Sequence, residues 1–442
     1  MRVTSISTIL AIALVACGGH GSTGDDGGPG DDGTGGGDDG NGHGTTNVTV
    51  TMNNQPTNAA MFSFVVAYQD GSGPWQAAPP PTGDVYTLPI NSGVWGFAWS
   101  CIGTPPGVGQ AQQRQVTDIH FSIAERTSYT IDVPPRCSDR DTGNVLLKGT
   151  ISNANGGGVY VVRFGDRFVQ AGVTGNYQMP VQPGTHDLIV AHGMLTAIGN
   201  DFVADQVFVQ RDLAVAAATT ANVDWNNAAD VQSFAVTGTG LRLAATTLYS
   251  KGGTTAVLVN DTTSQFETEA TAAAQSVAGD IYDQVMAAGS NGQTGITTLA
   301  TTTPAAETFT APTPLGGATS TTMATPYPRI TTTWAAYANA IGYVWTATQQ
   351  PGFVTCGNTP CTATWTGVLS AGVIGAMPTY TMPDLSAIPG WNTALQFVAA
   401  TQVGGSVQAM TSSAGGTDFP PATPPAVGTQ RTFVRSDYTV TP

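Results

Sequence analysis

Short strand-like runs separated by turn residues recur along most of the chain, and they constrain the fold more than any other feature. Thr, Val and aromatic residues dominate the runs, while Gly, Pro, Asn and Asp separate them. Clear examples are Phe62–Tyr68, Val145–Ile151, Val159–Phe164 and Asp187–Ala191. Glu and Lys, which favour helices, are scarce. We therefore predict an all-β protein built from tandem β-sandwich domains.

An internal repeat supports this prediction. Tyr86–Gly93 matches Tyr177–Gly184, and downstream Tyr129–Val133 resembles Ala221–Trp225 at a nearly constant offset. In each copy a Tyr and a Leu or Met alternate along a strand, a Pro follows, and a Gly turn leads to the next strand. The spacing indicates two copies of one domain type.

The second copy also carries a family resemblance. Gly149-Thr-Ile151, then Gly175-Asn-Tyr177, then Pro183-Gly184-Thr-His186-Asp-Leu-Ile-Val190, resembles the carboxypeptidase regulatory-like (prealbumin-like) β-sandwich. The Asp-rich turn that the family places before the glycine corresponding to Gly175 is missing, and His186 stands next to the place of the usual aromatic residue. The resemblance implies a non-catalytic spacer or binding module.

The C-terminal half carries a shorter resemblance. Pro328–Trp334 followed by Ile341–Ala347 resembles strands B and C of a fibronectin type III-like sandwich, through Trp334 and the Tyr343-x-Trp345 alternation. Upstream, Phe266–Ala288 is ambiguous, because its apolar spacing permits an amphipathic helix before Gly279 whereas the residues that follow alternate as in a strand. The surrounding β-pattern favours strands.

The N-terminus indicates export and lipid anchoring. The apolar stretch Val3–Ala13 is too short to span a bilayer but suits the central region of a signal peptide. It leads into Leu14-Val-Ala-Cys17-Gly18, which resembles the lipobox of bacterial lipoproteins. The resemblance implies cleavage before Cys17 and acylation of its thiol and new amine, a stable anchor in the cell envelope. The alternative is an ordinary secretory signal with an incidental cysteine.

The segment after Cys17 predicts a disordered acidic linker that raises the folded part above the membrane. Residues 18–46 contain three Asp pairs and no basic residue, so they cannot bury apolar surface and repel one another. Calcium binding by the Asp-Gly pairs is the alternative, but the spaced ligand pattern of a calcium loop is missing. Acidic residues begin only at Asp25, so the aspartate signal for inner-membrane retention is absent and we expect the outer membrane, facing the periplasm or the outside.

The sequence patterns described above divide the chain into six segments. We predict a signal peptide (1–16), the lipid-anchored linker (17–46), two related sandwiches (47–139 and 143–226), a third sandwich (227–318) and a fibronectin III-like fourth (324–442). The Thr-, Pro-, Gly- and Ala-rich stretch 301–324 divides the last two.

Charge and cysteine usage narrow the function classes. The formal net charge is −15 and only 14 residues are Lys or Arg, which argues against a nucleic-acid partner. Beyond Cys17, four cysteines form two pairs, which we predict to be the disulfides Cys101–Cys137 and Cys356–Cys361. A four-cysteine zinc site is the alternative, but neither pair has Cys-x-x-Cys spacing.

Few residues offer catalytic chemistry, and we predict neither a metal nor a cofactor. Outside the linker the histidines are His120, His186 and His192, which we expect on solvated strand faces or turns. Asp280 and Asp283 flank Tyr282, but turn or exposed-face placement is the commoner arrangement. The sequence contains no Gly-x-Ser-x-Gly motif and no phosphate-binding loop.

Aromatic residues supply the remaining candidates. Trp95, Phe97 and Trp99 alternate on one strand face, a pattern typical of a sandwich core. Trp75 lies in a Gly/Pro loop, where it either covers the end of the sandwich or binds a glycan or a protein ligand. We expect a non-catalytic surface scaffold, adhesion or binding module. The rival interpretation is an exported hydrolase, or an accessory enzyme subunit, with a site between domains.

Overall fold

The computed structural model describes an all-β chain. It covers residues 45–442 apart from 104–111, 141–142, 155, 173, 196–200, 263–266, 273, 291–292, 351–360, 376 and 422. Helical structure in this part is limited to four short 3-10 helices, at Pro135–Cys137, Trp225–Asn227, Thr393–Leu395 and Gly415–Asp418. None of the helices described is long and apolar enough to cross a bilayer. The predicted lipidation site Cys17 lies outside the described residues.

The strands fall into four sandwich units in chain order. Unit 1 contains β1 (Thr46–Asn53), β2 (Val65–Asp70), β3 (Gln76–Ala77), β4 (Val85–Ile90), β5 (Val94–Gly103), β6 (Gln112–Ser122) and β7 (Ser128–Asp132). Unit 2 contains β8 (Val145–Ser152), β9 (Val159–Phe164), β10 (Arg167–Gln170), β11 (Asn176–Val181), β12 (Gly184–Leu195), β13 (Phe202–Val215), β14 (Thr219–Thr220), β15 (Val223–Asp224) and β16 (Ala229–Asp230).

The C-terminal half supplies the other two units. Unit 3 contains β17 (Gln232–Gly238), β18 (Leu241–Tyr249), β19 (Thr255–Asp261), β20 (Glu267–Ala270), β21 (Ile281–Ser290), β22 (Gln293–Thr301) and β23 (Glu307–Phe309). Unit 4 contains β24 (Thr319–Met323), β25 (Arg329–Thr333), β26 (Gly342–Gln349), β27 (Cys361–Ser370), β28 (Thr379–Thr381), β29 (Val403–Ser412) and β30 (Gln430–Val440).

Each unit has one small sheet, and three of these sheets share a pairing pattern. The first strand of the unit pairs antiparallel with a middle strand and parallel with a late one: β1 with β4 and β7, β8 with β11 and β14, β17 with β20 and β23. In unit 4, β25 pairs antiparallel with both β24 and β28. The repeated motifs occupy equivalent places, since Tyr86 on β4 and Tyr177 on β11 are both buried. The two repeated motifs thus lie on equivalent strands, and unit 3 has the same pairing pattern without the motif.

The other described strands pair in one continuous series that runs through all four units. Within the units the neighbours are β3-β2-β5-β6, β27-β26-β29-β30, β22-β21-β18-β19 and β13-β12-β9-β10, with β16 beside β13. Three pairings join the units: β6 with β27 in parallel, β30 with β22, and β19 with β13. The units therefore follow one another as 1, 4, 3, 2 along this shared sheet.

The cores of units 1 and 4 lie on opposite sides of the shared sheet. At their junction Ile119 pairs with Val368 and both pack with the core of unit 1, whereas Val116 pairs with Trp365 and both pack with the core of unit 4. Successive side chains of a strand point to opposite faces, so each strand at this junction contributes to both cores. Units 1 and 4 are consequently packed together across this junction.

Two core predictions are confirmed. Trp95, Phe97 and Trp99 on β5 are all buried in the core of unit 1. Cys101 is bonded to Cys137, with the Cα atoms 5.7 Å apart, which ties β5 to the end of the unit. The other predicted disulfide cannot be placed, because Cys356 lies outside the described residues.

The structure also resolves the ambiguous segments. The stretch between Phe266 and Ala288 contains strands β20 and β21 and no described helix, in agreement with the favoured interpretation. The stretch 301–324, predicted as a divider, contributes β23 to the small sheet of unit 3 and β24 to that of unit 4. Short strands at sheet edges tolerate the Thr- and Pro-rich composition that made this stretch look like a linker.

Candidate functional site

Trp75 lies against the shared sheet of unit 1, immediately before β3. Its indole is half-buried and packs over Gly96 on β5. A Cβ atom at position 96 would lie 3.2 Å from Trp75 Cη2 and 3.0 Å from His120 Nδ1. Glycine at position 96 thus lets both rings approach the strand closely, and a Cβ atom there would push them back by a few tenths of an ångström.

His120 on β6 is the neighbour of Trp75. The two rings meet edge to face with their centroids 5.7 Å apart. His120 Nε2 lies 2.8 Å from Oδ2 of Asp118, which is two residues earlier on the same strand face and has no exposed surface. The buried carboxylate thus holds the imidazole in a defined orientation.

Tyr380 completes the group from a different unit. Its hydroxyl donates to Asp118 Oδ1 at 2.6 Å, although the two residues are 262 positions apart. Burial, together with the charge of Asp118, raises the pKa of Tyr380 well above its ordinary value, so the hydroxyl remains a donor. The Trp75 cluster (Trp75, His120, Asp118 and Tyr380) consequently lies at the junction of units 1 and 4.

The polar groups of the Trp75 cluster pair with one another. Both Asp118 oxygens accept hydrogen bonds, and across the described residues Asp118 is the only hydrogen-bond partner of His120. Acyl-transfer catalysis requires a nucleophile hydrogen-bonded to the base, and no described hydroxyl or thiol is hydrogen-bonded to His120. The half-buried indole beside a polar imidazole is a combination that can stack on a sugar or anchor a peptide.

The other two histidines are held by structural contacts. His192 was expected on a solvated face, but it is only 5 % exposed. Its Nδ1 lies 2.6 Å from Asp205 Oδ1, its Nε2 lies 2.9 Å from the Gly157 carbonyl oxygen, and its ring packs on Tyr160. Strand residues can be polar and buried when both ring nitrogens find partners, which sequence alternation alone does not reveal.

Asp280 and Asp283 are both buried: Asp280 closes a turn with Val277 just before β21, as one of the expected placements had it, whereas Asp283 lies within β21 and not on an exposed face. Asp280 is 2 % exposed and accepts hydrogen bonds from Arg211, while Asp283 is 9 % exposed and lies near Arg431. Asp283 and Tyr282 are adjacent on one strand and point to opposite faces, so they do not share a site. Each of Asp118 and Asp283 lies within a strand and not in a turn, which is the sequence signal that could have marked them.

Two comparisons with known proteins found no match for the chain. No protein-family model matches the sequence, and no curated protein matches it. Across the residues that the structure describes, no group of three His, Cys, Asp or Glu side chains is arranged to hold a metal ion. A functional assignment must therefore come from the chain's own residues.

Proposed function

We propose that the protein is a non-catalytic lipoprotein of the bacterial cell envelope, whose tandem sandwiches act as a scaffold, adhesion or ligand-binding module. The observation that carries the proposal is the unbroken strand pairing through all four units. Backbone hydrogen bonds between units, added to merged cores, make a stiff body that holds its surfaces at fixed positions. Stiffness lowers the entropic cost of binding.

The domain resemblances are in keeping with this role. The carboxypeptidase regulatory-like motif falls in unit 2, and such domains serve as spacers or binding modules. The segments that resemble strands B and C of a fibronectin III-like sandwich form β25 and β26, which belong to two different sheets, as the B and C strands of immunoglobulin-type sandwiches do. We propose the same domain types for this chain.

Anchoring through Cys17 can be tested by phase partitioning. Cys17→Ser should move the protein expressed in a bacterial host from the detergent phase to the aqueous phase, because the acyl chains that hold it are never attached. Ser22→Ala, a neutral change five residues further on, should stay in the detergent phase. A Cys17→Ser protein that still partitions into detergent, without acyl mass in its N-terminal peptide, would contradict the proposed anchor.

Ligand binding through Trp75 is tested by removing the indole. Trp75→Ala should abolish binding on glycan or peptide arrays while shifting the thermal midpoint by only about 4 °C or less, because the side chain is half-buried. Trp391→Ala is the matched control, since Trp391 is also half-buried but stacks on Tyr327 in unit 4. Equal binding by the two variants would show that Trp75 only covers the sheet.

A hydrolase with a site between domains is the second candidate function. The observation that favours it is the Asp118–His120 pair at the junction of units 1 and 4, because a carboxylate-oriented imidazole can act as a general base. Ester or glycan hydrolysis that copurifies with the protein and disappears in His120→Gln would assign this function. Binding without hydrolysis would favour the module.

A further inference from the structure

A small cleft lies on the shared sheet where units 3 and 4 join through β22 and β30. Its volume is about 50 Å³, enough for a few water molecules or the head group of a small ligand. Val285, Ile296 and Phe433 form its apolar part, and Pro421 forms one wall. Polar atoms come from Tyr249 on β18, Asp283 on β21, Thr298 on β22 and Arg431 on β30. The cleft is far in sequence from Trp75 and shares no residue with the Trp75 cluster.

One carboxylate oxygen of Asp283 has no hydrogen-bond donor among the described residues. Its side chain is only 9 % exposed, and its Oδ1 is buried with no hydrogen-bond partner among the described residues. Buried carboxylate oxygens are rarely left in this state, because the loss of hydration is then not compensated. Asp283 lines the cleft, and its Oδ1 has no donor among the described residues.

Arg431 does not supply that partner. Its Nε donates to Asp418 Oδ2 at 2.7 Å and its Nη2 donates to Asp418 Oδ1 at 2.5 Å, in a bidentate pair whose two side chains are both buried. The positive charge of Arg431 is thus already matched by Asp418. At neutral pH the charge of an ionised Asp283 is therefore offset only in part, by the nearby Arg431 and by a hydrogen bond from Thr298.

The chemistry of the cleft selects its ligand. A cationic N–H donor would hydrogen-bond to a carboxylate oxygen of Asp283 and also neutralise its charge. The apolar side chains of the cleft would contact the methylene groups of such a ligand. A metal ion would need several oxygen ligands, whereas this cleft offers one carboxylate and places a guanidinium beside it. We propose that the cleft binds a primary ammonium group carried on a short aliphatic stem, with Asp283 as the counter-ion.

The pH dependence follows from the groups that face Asp283. Burial raises the pKa of Asp283 to about 6, although Arg431 and a hydrogen bond from Thr298 oppose the rise. Burial and the charge of Asp283 raise the pKa of Tyr249 above its ordinary value, so Tyr249 stays neutral near pH 6. Arg431 stays charged and paired with Asp418. Ammonium affinity should therefore fall about tenfold between pH 8 and pH 5, as Asp283 takes up a proton.

Calorimetric titration of the full mature chain with n-butylammonium tests the proposal. Asp283→Asn should weaken binding at pH 8 at least tenfold, because it removes a charged hydrogen bond while keeping the side-chain shape. Asp437→Asn is the matched control: it makes the same charge change on β30, on a side chain that is 44 % exposed and paired with Arg435. It should leave binding within about twofold.

Three results would overturn the proposal. They are unchanged binding by Asp283→Asn, equal binding of uncharged n-butanol, and binding of calcium that competes with the amine. Nα-acetyl-lysinamide distinguishes the source of the ammonium: tighter binding than n-butylammonium assigns a peptide lysine side chain, and weaker binding assigns a small free amine. Neither outcome depends on Trp75, so the proposal can fail or hold independently of the binding role proposed for the Trp75 cluster.

Discussion

Replacing Arg211 with methionine should lower the free energy of unfolding by about 3–5 kcal/mol, the typical cost of breaking a buried ion pair from one side. Arg211 on β13 donates to Asp187 at 2.7 Å and to Asp280 at 2.7 Å, and each carboxylate side chain is only 1 % exposed. Without the guanidinium, two buried carboxylates remain without a counter-ion. The loss should appear in urea unfolding followed by tryptophan fluorescence.

The effect should be specific to this buried cluster. Arg435→Met removes an arginine whose partner Asp437 is largely hydrated, so it should cost less than about 1 kcal/mol. Because Asp187 belongs to unit 2 and Asp280 to unit 3, the Arg211 variant should also loosen the junction between these units. Equal losses in the two variants would show that the buried cluster contributes no more than a surface pair.

Asp283→Asn should have the opposite effect and raise the free energy of unfolding at pH 8 by up to about 3 kcal/mol. Burial raises the pKa of Asp283 from 3.8 to about 6, so the folded protein retains a proton that the unfolded chain releases. Stability of the natural protein therefore falls as the pH rises from 3.8 to 6, and the full deficit is present above pH 6. Asparagine carries no charge, so the variant does not lose stability in this pH range.

The pH profile separates this explanation from better packing. The advantage of Asp283→Asn should vanish below pH 3.8, where the aspartate is protonated in both states, whereas a packing gain would persist there. Chemical unfolding at pH 3.5, 6 and 8 gives the comparison, with Asp437→Asn as the control that should change little at any pH. A stabilisation equal at all three pH values would contradict the assigned pKa.

Local patterns predicted the elements of the fold well. Alternation and turn residues identified the strands, including β20 and β21 in the ambiguous segment, and the repeated Tyr motifs identified two units with the same small sheet. The Cys101–Cys137 bond and the buried face of β5 followed from the same local information. Unit 3 has the pairing pattern of units 1 and 2 but no recognisable sequence repeat. Its similar sheet could therefore not be predicted by matching residues.

The candidate sites were predicted only in part. Trp75 was identified by its unusual position in a Gly/Pro loop. The sequence did not show that Trp75 and His120 meet over Gly96, or that Asp118 accepts a hydrogen bond from Tyr380 of unit 4. Asp283 was identified as one of a pair, but the sequence did not show that its Oδ1 lacks a donor because Arg431 is paired with Asp418. Such partners are chosen by the packing of distant strands, which local spacing does not encode.

The amino-acid sequence by itself determined which segments become strands, which faces of those strands are apolar, and that the chain forms tandem β-sandwiches. These properties depend on side-chain alternation and turn chemistry within a few residues. Only the tertiary structure decided that the units follow one another as 1, 4, 3, 2 along a shared sheet, with β6 parallel to β27. Any exposed strand edge offers the same backbone donors and acceptors, so the choice among edges depends on how whole faces fit together.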